Sequence, residues 1–166
     1  MLITLRNKDT LHFKNFLFKC VIGKNGLTWQ KKEGDKKTPK GTFYLDKLYY
    51  RKDRLERPKT KLKCIPIVKN MGWCDDINNQ KNYNKLIKIN KKKKIKHEKM
   101  CRKDNNYDLV IPIKFNFKKP KLAKGSAIFI HITKNYRKTA GCIALKKNDL
   151  LILIKLINKN TKIKIT

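Results

Sequence analysis

The chain has 166 residues, 44 of them basic and 12 acidic, for a formal net charge of +32. That length holds one domain with a real core and is short for two, and a 40% hydrophobic content gathered in short β-branched and aromatic runs excludes a disordered chain although 34% of residues are charged. Five cysteines (Cys20, Cys64, Cys74, Cys101, Cys142), an odd number with no CxxC pair, argue against a disulfide framework.

In chain order, "LITL", "LHF" and "FLFKCVIG" read as antiparallel strands, the last with Phe16, Phe18, Cys20 and Ile22 on one face of the pleat. "IGKNG" is a turn. "EGDKKTPKG" is a second turn cluster and reads as a structural hairpin, followed by the short strand "TFYL". Lys47 to Lys61 is charged and irregular. "CIPIVKN" and "GWCDD" regain strand character before a polar stretch, Asn78 to Lys99, which reads as a mobile insertion. A helical turn is expected over "KHEKMCRKD", and "YDLVIPIKFNF" is expected to be a strand pair broken by Pro112. "GSAIFIHIT" has the continuous apolar character of a strand buried on both faces, with Ala127, Phe129 and His131 on one side and Ile128, Ile130 and Ile132 on the other. "NDLLILIKLINKN" predicts a helix capped by Asn148, with Asp149 in its first turn and Leu150, Leu151, Ile154 and Ile157 on one side. "TKIKIT" alternates as a closing strand. Residues 1–166 therefore read as one mainly β domain with a single helix near its carboxy terminus and a polar insertion.

The charge has two explanations. Of the basic residues 38 are Lys and 6 are Arg, with Asn and Ile also abundant, a signature that a bias toward AAA, AAT and ATA codons produces without any ligand. The other explanation is a footprint for nucleic acid or another polyanion. Arg, the better tool for bidentate contacts, is scarce, aromatic residues are not interleaved with the basic ones, and the densest run, "KINKKKKIKHEK", reads as a solvated loop. Nucleic acid is not the expected partner. His97 and Cys101 stand four apart inside the Lys run with no second pair of ligands, so neither a metal nor another cofactor is expected. The first twenty residues lack an uninterrupted apolar region and "LLILIKLI" is short and carries Lys155, so neither an export signal nor a membrane span is read here.

His131 and Cys142 carry the chemistry. A lone buried histidine or cysteine is ordinarily a packing residue. Here the histidine ends a strand and the cysteine follows Thr139, Ala140 and Gly141, small residues that can fold back beside it. A thiol needs a nearby imidazole to act as a nucleophile at neutral pH. Gly141 admits close backbone approach, and the Gly141 and Cys142 amides are candidates for an oxyanion site. Acyl transfer through a thioester is the reaction that follows.

The segment "HITKNYRKTAGCIAL" resembles the active-site signature of the L,D-transpeptidase catalytic domain (YkuD-like) family, in which a histidine precedes an (S/T)-x-G-C segment. The resemblance continues through "EGDKKTPKGTF", "GWCDDINNQKNYNK", "EKMCRKDNNYDLVI", "KGSAIFIHI" and "DLLILIKLI", most of the chain in family order. It implies a β-sandwich or barrel and a monomer that acts on peptidoglycan stem peptides. Cys142 would be the nucleophile and His131 the general base, with Gly141 contributing to the oxyanion site and a backbone carbonyl orienting the imidazole. Trp73 would wall the substrate cleft, Asp75 or Asp76 would hold an amine of the stem peptide, and Thr139 would contribute to substrate binding. The acyl group would pass to an amine; water as acceptor would make the protein an L,D-carboxypeptidase, and a basic noncatalytic wall- or nucleic-acid-binding module is the other alternative. Carbapenem-type compounds would be inhibitors. The family works outside the inner membrane, which implies a periplasmic or wall location, whereas a chain without a visible signal fits the cytoplasm. Three departures mark a distinct subgroup: a shorter His-to-Cys interval, Thr-Ala-Gly-Cys in place of Ser/Thr-His-Gly-Cys, and Ala144 where many members have Arg.

Overall fold

Alternation of apolar and polar residues builds the first ribbon: β1 (Leu2–Arg6), β2 (Thr10–Phe13) and β3 (Phe16–Val21) pair antiparallel and turn Ile3, Leu5, Leu11, Phe13, Phe18 and Cys20 inward. The computed structural model describes residues 1–90, 92 and 94–166. After the ribbon come β4 (Leu27–Thr28), β5 (Thr38–Pro39), β6 (Gly41–Tyr44), β7 (Leu48–Tyr50), β8 (Cys64–Pro66), β9 (Met71–Cys74), β10 (Leu86–Lys88) and β11 (His97–Lys99). β12 (Leu109–Pro112), β13 (Phe129–Ile132), β14 (Ile143–Leu145), α1 (Lys147–Leu156) and β15 (Lys162–Ile165) complete the chain.

Ten strands form one curled sheet in the order β6-β15-β1-β2-β3-β14-β13-β12-β7-β8. Three of its pairings are parallel, β1 with β15, β7 with β8 and β13 with β14. The parallel seam between β13 and β14 decides where the site lies, because it sets His131 opposite Ala144 and Ile130 opposite Ile143.

β13 is buried on both faces, as its unbroken apolar run predicts, and each face serves a different core. Ile128, Ile130 and Ile132 join the main core with Leu150, Leu153 and Ile154 of α1. Phe129 joins a second core with Tyr49, Trp73, Met100, Tyr107, Val110 and Cys142. Burial of apolar area at about 25 cal/mol per Å² makes both faces matter for stability.

Several elements differ from expectation. The polar stretch 78–99 contains β10 and β11, which pair with the two edges of β9 in a three-stranded sheet. Lys91 and Lys93, which fall in that expected insertion and in the basic run, lie outside the described residues. "KHEKMCRKD" is therefore a strand followed by bends and not a helical turn, since the β9 edge supplies hydrogen bonds that a single isolated turn lacks. The irregular stretch after Lys47 holds β7, whose three residues are all buried but too few to show a period. Pro112 ends β12 where the partner residue is Phe129, so the expected strand pair is one strand. The helix begins one residue before the predicted cap: Lys146 is the extended N-cap, because β14 ends directly before it, and its carbonyl accepts from the Leu150 N–H at 3.0 Å.

Candidate functional site

Side chains opposite each other on paired strands share a face, and so do residues two apart on one strand. From His131 opposite Ala144 it follows that Phe129, His131 and Cys142 all project to the same side of the β13–β14 seam. Cys142 sits one residue before β14, at the end of the turn that begins at Thr139. Both Cys142 and His131 are 8% exposed, and both line a cleft of about 530 Å³. Cys142 also lines a larger cleft of about 910 Å³ on its other side. Glu98, Tyr107, Ala140 and Cys142 are common to the two and form the ridge where they meet.

The turn carrying the cysteine is fixed through backbone groups. Thr139 Oγ1 donates to the Cys142 carbonyl at 2.6 Å and accepts from the Gly141 N–H at 3.1 Å, while Thr38 Oγ1 donates to the Gly141 carbonyl at 2.8 Å. The Gly141 amide is thus turned to Thr139 and not toward an oxyanion. Thr139 braces the turn and also lines the His131 side of the ridge. Gly141 has φ +138°, and a Cβ there would lie 2.9 Å from the Lys37 carbonyl oxygen, so only glycine fits. Gly23 is equally constrained, with the Lys36 carbonyl oxygen 2.5 Å from where its Cβ would be. The loop 31–38 therefore packs directly against the cysteine turn.

The imidazole is oriented by backbone, as the resemblance implied. His131 Nδ1 lies 2.8 Å from the Ile132 carbonyl, which only accepts, so Nδ1 carries the proton and Nε2 the lone pair, and among the described residues Nε2 makes no hydrogen bond. Burial lowers the imidazole to about 4, opposed by that carbonyl; Arg102 lowers it further and Asp104 opposes. Burial raises the Cys142 thiol to about 12, opposed by the Phe129 N–H. The resting pair is accordingly neutral: a thiol and an imidazole, not a thiolate and an imidazolium. The thiol donates to the Ala127 carbonyl at 3.2 Å and accepts from the Phe129 N–H at 3.3 Å. Among the described residues no hydrogen bond joins it to His131.

Trp73 is not a cleft wall. It is 2% exposed, packs edge to face on Phe129 at 5.2 Å and supports the site from behind. Its Nε1 donates to Asn84 Oδ1 at 2.9 Å, and the same oxygen accepts from the Ala127 N–H at 3.0 Å. Asn84 Nδ2 donates to the carbonyls of Phe115 and Asn116 at 3.1 and 2.8 Å. Ala127, whose carbonyl holds the thiol, has φ 50°, an uncommon conformation for a residue with a side chain, and Asn84 is what holds it there.

The two aspartates separate. Asp76 is a loop cap: Oδ1 accepts from the Asn78 N–H at 3.0 Å and Oδ2 from the Lys96 N–H at 3.4 Å. Asp75 lines the larger cleft with its Oδ1 buried and without a hydrogen-bond partner among the described residues and its Oδ2 3.9 Å from Lys96 Nζ, and burial raises its pKa. Four of the chain's 12 acidic residues (Glu33, Asp75, Asp76, Glu98) line this cleft together with Lys31, Lys32, Lys36, Lys96 and Lys124, so carboxylates gather here in a protein of charge +32 while the lining as a whole is of mixed charge.

Sequence reasoning missed four participants. Tyr107 is buried with its ring 5.2 Å from that of His131, and burial raises its hydroxyl well above the usual value. Arg102 lies 4.9 Å over the Tyr107 ring and pairs with Glu98 at 2.8 Å and Asp104 at 2.7 Å. Asn84 is the buried hub. Glu33, in the segment expected to be only a structural hairpin, accepts from the Tyr83 hydroxyl and from Ser126 Oγ, latching the loop as one wall of the cleft. None of these carries a spacing signal, because each meets the site through contacts far apart in sequence. Among the described residues no group of three or more His, Cys, Asp or Glu side chains is placed to hold a metal ion.

A family model described as the L,D-transpeptidase catalytic domain (YkuD) matches residues 2–165. The chain belongs to the L,D-transpeptidase catalytic domain family. Comparison with curated proteins gives no match, and comparison with solved structures gives none. L,D-transpeptidase-family domains are in general acyltransferases that modify peptidoglycan, so peptidoglycan is the substrate that family membership implies. The mainly β architecture with one helix and a curled sheet agrees with the family's sandwich. Among the described residues no helix is long and apolar enough to cross a membrane.

Proposed function

We propose that this protein is a cysteine-dependent L,D-transpeptidase that acts on peptidoglycan stem peptides through a thioester and transfers the acyl group to an amine. The observation that carries the proposal is the sharing of one cleft, on one face of the β13–β14 seam, by Cys142 and by a His131 whose Nδ1 is held by a backbone carbonyl, which leaves the lone pair on Nε2. In the proposed reaction Cys142 Sγ attacks the carbonyl carbon of the L-centred diamino acid residue as its proton passes to His131 Nε2. The bond to the terminal D-residue breaks, and the imidazolium returns the proton to the leaving amine. An acceptor amine then attacks the thioester, His131 takes its proton, the carbon–sulfur bond breaks and the thiolate is reprotonated.

A neutral resting pair suits this order, because a base with a low pKa takes the proton only as the new bond forms. The thiol has first to leave the Ala127 carbonyl and turn toward His131, a rotation about one side-chain bond. With the Gly141 amide engaged by Thr139, the Cys142 N–H is the backbone donor proposed for the oxyanion. Asp75, whose Oδ1 is buried with no hydrogen-bond partner among the described residues while its Oδ2 faces Lys96, is the proposed partner of a substrate ammonium group in the larger cleft.

The test is intact-protein mass spectrometry after incubation with a carbapenem. One adduct, mapped to Cys142 and lost in Cys142→Ala, is expected. No adduct on a folded protein would overturn the proposal.

A further inference from the structure

Trp29 is 71% exposed, more than any other large apolar side chain among the described residues. Its backbone is nonetheless fixed. It follows directly on β4, where Thr28 Oγ1 accepts from the Gln30 N–H at 3.0 Å and the Thr28 carbonyl accepts from the Lys40 N–H at 2.7 Å. An indole held in water by an ordered turn contributes nothing to the core; a single exposed apolar side chain is common on protein surfaces, and what sets this one apart is the groove beside it. The Lys40 ammonium stands 5.5 Å from the ring centroid.

Beside the indole runs a groove of about 390 Å³, floored by Phe115 and edged by Gln30 and Asn116. Its remaining lining, Lys31, Lys32 and Lys124, also lines the cleft that reaches Cys142. The groove is thus an outward continuation of that cleft around the loop latched by Glu33.

Resting on the acyl-transfer reading above, we infer that Trp29 is a stacking platform for a pyranose ring of the glycan to which the stem peptide is attached. A pyranose presents a flat C–H face to an aromatic plane and a rim of hydroxyl and acetamido groups to polar neighbours. The groove offers one indole plane, the Gln30 amide and the ammonium groups of Lys32 and Lys124. The peptide then runs inward to Cys142 while the sugar stays outside. A nucleic-acid strand is the less suited occupant, since successive bases need successive free aromatic faces. The second aromatic of this groove, Phe115, is committed to the core, with Phe43 packed against it at 5.6 Å and 88°. A single indole among lysines also lacks the surrounding contacts that exclude water at a protein hot spot.

The test uses the Cys142→Ala protein, so that nothing turns over, with intrinsic fluorescence as the probe of Trp29 and isothermal titration calorimetry for the affinities of all probes and variants. Trp73 is 2% exposed, so emission changes on ligand addition report Trp29. Four probes are titrated: a disaccharide of N-acetylated aminohexoses carrying the tetrapeptide, the disaccharide alone, the tetrapeptide alone and a single-stranded oligonucleotide. Both sugar-containing probes are expected to quench or blue-shift the emission and the tetrapeptide to leave it unchanged. Adding Trp29→Ala is expected to weaken binding of the disaccharide-peptide roughly tenfold, with the free tetrapeptide unaffected and Trp29→Phe recovering most of the loss. Equal weakening of both peptide probes, no weakening of either, or a response to the oligonucleotide alone would overturn the inference. A sugar-dependent response in a protein whose wild type forms no thioester would uphold the platform and remove only the acyl-transfer reading.

Discussion

β13 has two faces, and the difference between them explains the molecule. On one, Ile128, Ile130 and Ile132 meet α1 in a purely apolar core. On the other, Ala127, Phe129 and His131 back onto aromatic residues and face a thiol, with hydrogen bonds taking the place of some apolar contact. One face supplies stability. The other spends it on the site, carrying an imidazole and a thiol that burial keeps neutral.

The sharpest way to break this comparison is on the chemical face. Cys142→Ala is expected to abolish acylation, read by mass spectrometry, while removing only the sulfur atom and leaving the thermal midpoint within a few degrees. His131→Gln is expected to slow acylation by about 10²–10⁴-fold in stopped-flow measurements, since only proton transfer is lost. On the apolar face, Ile130→Ala is expected to cost about 3 kcal/mol in urea denaturation, with the acylation rate of the folded fraction within about twofold of wild type. A loss of acylation there beyond the loss of folded protein would erase the division between the faces.

Between these two lies the buried hub. Asn84→Ala strips partners from the Trp73 indole, the Ala127 N–H and two carbonyls, and is expected to cost about 3 kcal/mol. Unlike Ile130→Ala it should also slow acylation in the folded protein, because Ala127 holds the thiol.

The chemical face also has a signature in the pH dependence. His131 has a folded pKa of about 4 against an ordinary 6.5, so between those values the unfolded chain binds the proton more readily. Stability is therefore expected to fall as pH drops from about 6.5 to about 4, by up to about 3 kcal/mol, and to show no further loss from this group below that. In His131→Gln this part of the slope should vanish from urea midpoints compared across the same range.

What was legible beforehand follows the range of the contacts involved. The alternation in β1 to β3 and the unbroken run of β13 are local patterns, and they gave the strands and the two faces directly. The placing of His131 and Cys142 on one cleft was legible because a short connection leads from the strand of one to the turn that carries the other. Asn84, Tyr107 and Glu33 were not, because each reaches the site from a loop across a long stretch of sequence, and nothing in "NYNK" distinguishes a hub from a solvated turn. Trp73 was misplaced for the same reason: an aromatic beside two aspartates says nothing of which side of Phe129 it packs on. β10 and β11 hid in a polar stretch because edge strands of a small sheet bury little and so show little period.

The central claim is that the Cys142 thiol opens to a peptide and is made reactive by His131. Incubation of the protein with an L,D-configured tetrapeptide, acid quenching and intact-mass measurement with peptide mapping tests it most directly. The account predicts a mass increase equal to the tripeptidyl group, tetrapeptide less its terminal D-residue, on Cys142 alone among the five cysteines. An unmodified Cys142 in a folded protein, or a thioester that forms as fast in His131→Gln as in the wild type, would contradict it.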